Sequence, residues 1–349
     1  MQSIKKRRLA WLSVILAFSL TAAACGDDDD DAGTDTGTGT GSEPEGGDVS
    51  GSINISGSST VEPISSLAAE AFSAENERVD LAVDGPGTGD GFEQFCNGEI
   101  DISDASRAIE DEEIATCEQN GIEYVELLVA FDGMAVMTSA NNESAPECLS
   151  FADLWALIGS ESEGFANWSD GAEIATALGS TTELPDESLD LTGPGTESGT
   201  YDSFIELALE GPAEERGLPE DQWTTRTDYE SNSDDNVIIS NIEASDNSLG
   251  WVGFAFAEEA GDQITEIPIS AEPGGDCVEP TADTIADGTY PLSRPLYIYV
   301  NAANADDNPA LAPFVDFYLA GLSGFVEEGG YVLLPDDVAS ETVAAWEGR

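Results

Sequence analysis

Apolar and polar positions along this chain switch repeatedly between a period of two and a period near 3.6. Residues 52–56, 79–83 and 100–103 read as short strands. Between the first two, Val61, Ile64, Leu67, Ala68, Ala71 and Phe72 recur at helical spacing and predict an amphipathic helix over 61–73. A helical turn or two covers 92–97, and an acidic helix covers 110–120. Residues 124–129 read as a strand, interrupted at Asp132-Gly133 and resumed over 134–138. Past Cys148 the alternation restarts, with helices over 151–158, 201–209 and 236–244 and strands near 189–192 and over 250–256. Residues 290–300 are extended and contain Arg294-Pro295; residues 310–322 form an amphipathic helix. No repeat of fixed period is present. This alternation predicts α/β layers with largely parallel sheets.

The first residues follow a different logic. Lys5, Lys6, Arg7 and Arg8 precede an apolar stretch over 11–20, then Ala22-Ala23-Ala24-Cys25. That stretch is too short for a bilayer core of about 30 Å. Basic, apolar and small residues in this order predict a secretory signal over 1–24. A cysteine directly after the small residues resembles a bacterial lipobox, with Ala22 where the usual leucine stands. Cys25 is therefore the expected lipid anchor, which places the chain outside the cytoplasm. Residues 25–48 hold five aspartates in a row and a Gly/Thr run without a large apolar side chain. They predict a self-repelling tether, with folding expected from near Val49.

Charge narrows the partners. The chain has 71 acidic and 10 basic residues, and its net charge is −61. Four basic residues belong to the signal, so 10 − 4 leaves six: Arg78, Arg107, Arg216, Arg226, Arg294 and Arg349. No lysine remains after processing. Nucleic acid is excluded as a partner, because phosphate backbones need basic patches. A disordered acidic polymer is excluded too, since 40% of residues are hydrophobic and six are tryptophan. An acidic skin on a folded protein suits high external salt or an acidic habitat; the sequence leaves both open.

The chain contains no histidine. Ser-His-Asp and Cys-His nucleophilic sites and His-containing metal sites are thereby excluded. No metal or other cofactor is expected. Cys96, Cys117, Cys148 and Cys277 make an even number in an exported chain. They predict two disulfides, Cys96–Cys117, close in sequence, and Cys148–Cys277, worth about 3 to 5 kcal/mol each on the chain-entropy account.

The candidate chemistry is in Gly/Ser/Thr loops that open helices. These are Gly57-Ser58-Ser59-Thr60, residues 85–91 (Gly-Pro-Gly-Thr-Gly-Asp-Gly) and residues 193–200 (Gly-Pro-Gly-Thr-Glu-Ser-Gly-Thr). Helix starts offer free N–H donors and partial positive charge, glycine lets an anion approach, and hydroxyls add donors. Neither glycine loop is a Walker A motif, and the third lacks the base a Gly-x-Ser-x-Gly hydrolase would need. A fourth segment, Asp101-Ile102-Ser103-Asp104-Ala105-Ser106-Arg107, brings a guanidinium whose planar fork suits phosphate.

Five stretches, 57–63, 87–92, 101–107, 198–204 and 290–297, together resemble the PstS family of phosphate-binding lipoproteins that feed phosphate ABC importers. The resemblance implies a two-lobed class II periplasmic-binding clamshell crossed twice by the chain, near 131–133 and near 295–300. Lobe one is then 50–130 plus 298–349, and lobe two is 131–297. It implies phosphate held in the cleft by Ser59, Thr60, Thr88, Ser106, Arg107, Ser198, Gly199 and Thr200. Pro194 stands where many members carry an arginine, which leaves Arg107 as the expected cation. Glu197 or Asp104 is the expected acceptor of the proton on hydrogen phosphate, a device that disfavours sulfate. The implied protein is a monomeric, non-enzymatic, extracytoplasmic subunit with a membrane permease as partner. Competing readings are a clamshell for sulfate or molybdate, a secreted phosphatase-like enzyme, and an acidic surface protein without a small ligand.

Overall fold

A computed structural model describes residues 49–196 and 198–349. The signal, Cys25, the tether and Glu197 lie outside the described residues. The strands are β1 (Gly51–Gly57), β2 (Val79–Asp84), β3 (Ile102–Ala105), β4 (Tyr124–Ser139), β5 (Leu149–Ser150) and β6 (Asp190–Gly193). They continue with β7 (Glu230–Ser231), β8 (Ser248–Gly253), β9 (Ile264–Glu266), β10 (Ile269–Ser270) and β11 (Ser293–Asn301). Nine of them join one sheet in the order β2-β1-β3-β11-β4-β8-β6-β7, with β9 beside β4; β5 and β10 pair separately.

The fold is α/β and two-lobed, and β4 is the element that connects its halves. Through Gly133 it pairs antiparallel with β11, in the register Arg294 opposite Asp132 and Ser293 opposite Gly133. From Met134 onward it pairs with β8 and β9 instead. The sequence predicts an interruption at Asp132-Gly133; the strand runs straight through. The polar residue is tolerated because its carboxylate meets Arg294 across the ladder. Gly133 leaves room there for the Ile285 side chain, whose Cδ1 a Cβ would meet at 2.6 Å.

The sheet is mixed, unlike the largely parallel one the alternation predicts. β1 is parallel to β2 and β3, and β6 to β7 and β8, but every pairing of β4 and β11 is antiparallel. Those two strands return along the sheet to link its halves, which reverses their direction. Two other expectations shift. The strand over 250–256 ends at Gly253, and Phe254–Ala260 is a helix. The helix over 201–209 starts earlier, at Gly199, and its second half, Ile205–Leu209, is a π-turn.

Core burial follows the two halves. One cluster gathers residues between Ile53 and Ala130 with Leu296, Ile298, Phe314, Tyr318 and Trp346. Another gathers residues between Phe131 and Leu292, joined by Val332. Smaller clusters around Phe92 and Tyr299, and around Ile238 and Val252, fill further layers. Such cores supply the main stabilising term, at about 25 cal/mol per Å² of apolar surface removed from water. Both disulfides form as expected, with Cα atoms 4.3 Å apart in Cys96–Cys117 and 6.0 Å apart in Cys148–Cys277.

Candidate functional site

The first loop is shaped by β1. Gly57 has φ +145°, and a Cβ there would lie 2.0 Å from the Asp104 carbonyl oxygen, so only glycine fits. Beyond it, Ser58 N–H donates to Asp104 O (2.9 Å) and Thr60 N–H to Ser58 Oγ (3.2 Å). Pro63 then fixes the first turn of helix Glu62–Glu75. The second loop is tied to the first, with Gly87 N–H donating to Gly57 O at 2.8 Å. Thr88 opens helix Thr88–Cys96; its Oγ1 accepts from Ser106 N–H (3.2 Å) and lies 3.0 Å from Ser106 Oγ. Three of the sequence-derived segments are thus one hydrogen-bonded unit.

The third loop approaches from the other half. Ser198 caps helix Gly199–Phe204 by accepting from Thr200 N–H. A Cβ on Gly199 would be 3.6 Å from Ser59 O, 3.8 Å from Thr60 Cα and 3.9 Å from Tyr331 Oη. Ser59, Thr60, Ser198, Gly199 and Thr200 are therefore brought together. Thr88, Ser106 and Arg107 line an adjoining cleft of about 780 Å³ with Glu206, Glu210 and Arg294.

Arg294, by its sequence pattern a residue of an extended segment, is the buried cation of this cleft. Its Nη2 donates to Thr60 Oγ1 (2.8 Å) and to Ser203 Oγ (2.5 Å), which join the two halves. Nε faces Asp132 Oδ2 at 3.3 Å, and Nη1 donates to Glu206. Burial works against the guanidinium charge, but Asp132 and Glu206 outweigh it and hold its pKa above the ordinary value. A lone arginine beside a proline in an apolar strand was the available signal. Its partner Asp132 became recognisable only through strand register.

Arg107 is engaged differently. Its two Nη atoms grip Glu113 at 2.9 and 2.8 Å, and its side chain is 38% exposed. It borders the cleft but is not its only cation. Asp104 is fully buried against helix Glu62–Glu75, where Oδ1 accepts from Ser65 Oγ at 2.9 Å. Burial pushes its pKa up to about 8, with Glu62 adding and Ser65 opposing. Asp104 is thus a core carboxyl and not among the cleft-lining residues. Asp202 instead faces Ser59 and Arg294; burial and then Glu206 raise its pKa, and Arg294 opposes them. Among the described residues no cluster of acidic or thiol side chains could hold a metal ion, and no helix is long and apolar enough to cross a membrane.

Comparison with known proteins identifies the family. A family described as a PBP superfamily domain matches residues 41–321. The phosphate-binding protein PstS of Staphylococcus haemolyticus is 33% identical, over 95% of this chain and 94% of its own. Protein SphX of Synechocystis is 38% identical, over 82% of this chain and 79% of its own. A solved structure described as "a possible phosphate binding protein" from Planctomyces limnophilus superposes with a TM-score of 0.76 at 37% identity, over 86% of this chain and 99% of that one. The chain therefore belongs to the PBP superfamily, within its PstS family of substrate-binding proteins.

Proposed function

We propose that this chain is the extracytoplasmic binding subunit of an importer for inorganic phosphate and performs no catalysis. The observation that carries this reading is Arg294, a buried guanidinium between the hydroxyls of Thr60, in the first loop, and Ser203, in the helix that the third loop opens, from opposite halves. Phosphate would lie among Ser59, Thr60, Thr88, Ser106, Ser198, Gly199 and Thr200, with Arg294 as the principal cation and Arg107 at the rim. The short-range donors must overcome the field of a chain with a net charge of −61, and their burial in a low-dielectric cleft strengthens them.

The two apolar cores support lobes of 50–130 with 298–349 and of 131–297, apart from Leu296 and Val332, which pack across those bounds. Both disulfides join residues of the same lobe, so closure would proceed without straining either. The signal 1–24, the anchor at Cys25 and the tether 25–48 would leave a monomer held at the membrane, where it passes phosphate to a permease. Asp202 is the described carboxylate placed to accept the proton of hydrogen phosphate; Glu197 is the further candidate.

Calorimetry with phosphate, arsenate, sulfate and molybdate tests the reading. One-to-one binding of phosphate, with sulfate far weaker, is expected. No heat and no thermal shift with phosphate would sink it. Asp202→Asn should relax the preference for phosphate over sulfate, since an amide can donate to a fully ionised oxyanion. Unchanged competition by sulfate would move the acceptor role to Glu197.

A further inference from the structure

Four of the five N–H groups of the Arg294 fork have recorded partners in this structure. Nε faces Asp132, Nη1 donates to Glu206, and Nη2 is shared by Thr60 and Ser203. A guanidinium offers five such donors and no more. A single Nη1 N–H remains, so an oxyanion can be gripped by two donors of this fork only by displacing something.

The candidates for displacement differ in cost. Thr60 and Ser203 are neutral hydroxyls that can turn and donate to an anion themselves. Asp132 is held opposite Arg294 by strand register, and only 6% of its side chain is accessible. Breaking that pair would strand a buried carboxylate, a severe penalty. Glu206 is the exception, with 51% of its side chain accessible. It can return to water cheaply, as exposed ion-pair partners do. Its surroundings also favour departure. Glu206 raises the pKa values of both Asp202 and Glu210, a sign that three carboxylates crowd one edge of the cleft.

The backbone supports the same conclusion. Glu206 belongs to the π-turn Ile205–Leu209, directly after helix Gly199–Phe204. π-turns are uncommon and recur at functional positions. Here the wider turn follows the anion loop and presents a carboxylate to the cation that the anion would seek.

We infer that Glu206 is an internal stand-in for the anion, a carboxylate that occupies Arg294 in the empty cleft and leaves when phosphate arrives. This rests on the phosphate reading above. Affinity is then set by competition within one molecule. The covalently attached competitor cannot be diluted, and it keeps the cleft's cation paired when no ligand is present.

Two variants test it, Glu206→Gln and Glu206→Ala, each titrated with inorganic phosphate beside the wild type at fixed salt and pH. Both should bind phosphate more tightly, by about ten-fold, the scale of one charge-assisted hydrogen bond. Thermal melting supplies an independent readout. Without ligand the variants should melt below the wild type; at saturating phosphate the three should coincide, because Glu206 has already left. Equal or weaker binding by both variants, while the wild type binds phosphate, overturns the inference and leaves the functional reading intact. A melting deficit that persists at saturation overturns it as well. A wild type with no response to phosphate overturns the functional reading and this inference with it.

Discussion

Arg294 and Arg107 carry the same charge at the edges of one cleft, yet their surroundings assign them different weights. Arg294 is 9% exposed and bridges both halves; Arg107 is gripped by Glu113 and 38% exposed. Arg294→Lys should weaken phosphate binding more than Arg107→Ala does. A lysine keeps the charge but cannot reproduce a fork that serves Asp132, Thr60 and Ser203 at once. The expected loss at Arg294 is at least about 1.5 to 3 kcal/mol in calorimetry. A larger effect at Arg107 would reverse the assignment. Asp104 makes a separate prediction at this scale. Its folded pKa of about 8 exceeds the unfolded value of 3.8, so the native state holds the proton more tightly. This group leaves stability unaffected below about pH 4, then lowers it as pH rises towards 8, by up to about 1.4 kcal/mol per pH unit. Melting curves across that window should fall less steeply for Asp104→Asn, whose Oδ1 can still accept from Ser65. Parallel curves for the two proteins would contradict it.

At the scale of elements, the site depends on how closely helix Thr88–Cys96 approaches the end of β1. A Cβ on Gly91 would lie 2.5 Å from Gly57 Cα and 3.0 Å from Ser56 O, both backbone atoms that cannot rotate away. Gly91→Ala should therefore push the helix outward, at about 1 to 3 kcal/mol of overpacking, and carry Thr88 away from Ser106. A lowered melting temperature together with weaker phosphate binding is expected. A variant that melts and binds like the wild type would show that the helix can shift freely. The helix starts themselves were legible in the sequence, because Gly, Ser, Thr and Pro have few other uses at such spacing. The π-turn was not, since nothing in Ile205–Leu209 distinguishes it from an ordinary helical stretch. The uninterrupted course of β4 was equally hidden. An aspartate followed by glycine reads as a break until the arginine opposite it is known.

Over the whole molecule, acid outnumbers base so heavily that self-repulsion opposes the compact state. Four of the six described arginines are held close to acids: Arg107 by Glu113, Arg216 by Glu161, Arg226 by Asp228 and Arg294 by Asp132 and Glu206. Added sodium chloride should raise the melting temperature, because the screening length shrinks from about 10 Å at 0.1 M to about 3 Å at 1 M. The short-range contacts of Arg294 should survive the same salt, and screening weakens the repulsion between the acidic surface and the anion, so phosphate affinity should not fall with added sodium chloride. A melting temperature that drops between those salt concentrations would argue that specific surface pairs, and not repulsion, dominate.

The sequence by itself determined what depends on local chemistry. Glycine, proline and hydroxyl residues marked the loops that open helices. Apolar periodicity marked most strands and helices, and four cysteines with no histidine left disulfides as the economical use. The tertiary structure alone decided what depends on residues far apart in the chain. Arg294 lies 234 residues from Thr60 and 162 from Asp132, and strand register with lobe packing brings all three together. Asp104 shows the same limit from the other side. Its neighbours in sequence made it look like a cleft residue, whereas the packing of helix Glu62–Glu75 against β3 buries it beside Ser65. Side-chain direction and burial are set by the packing of whole elements, and one chain's local pattern carries no record of which distant element will cover it.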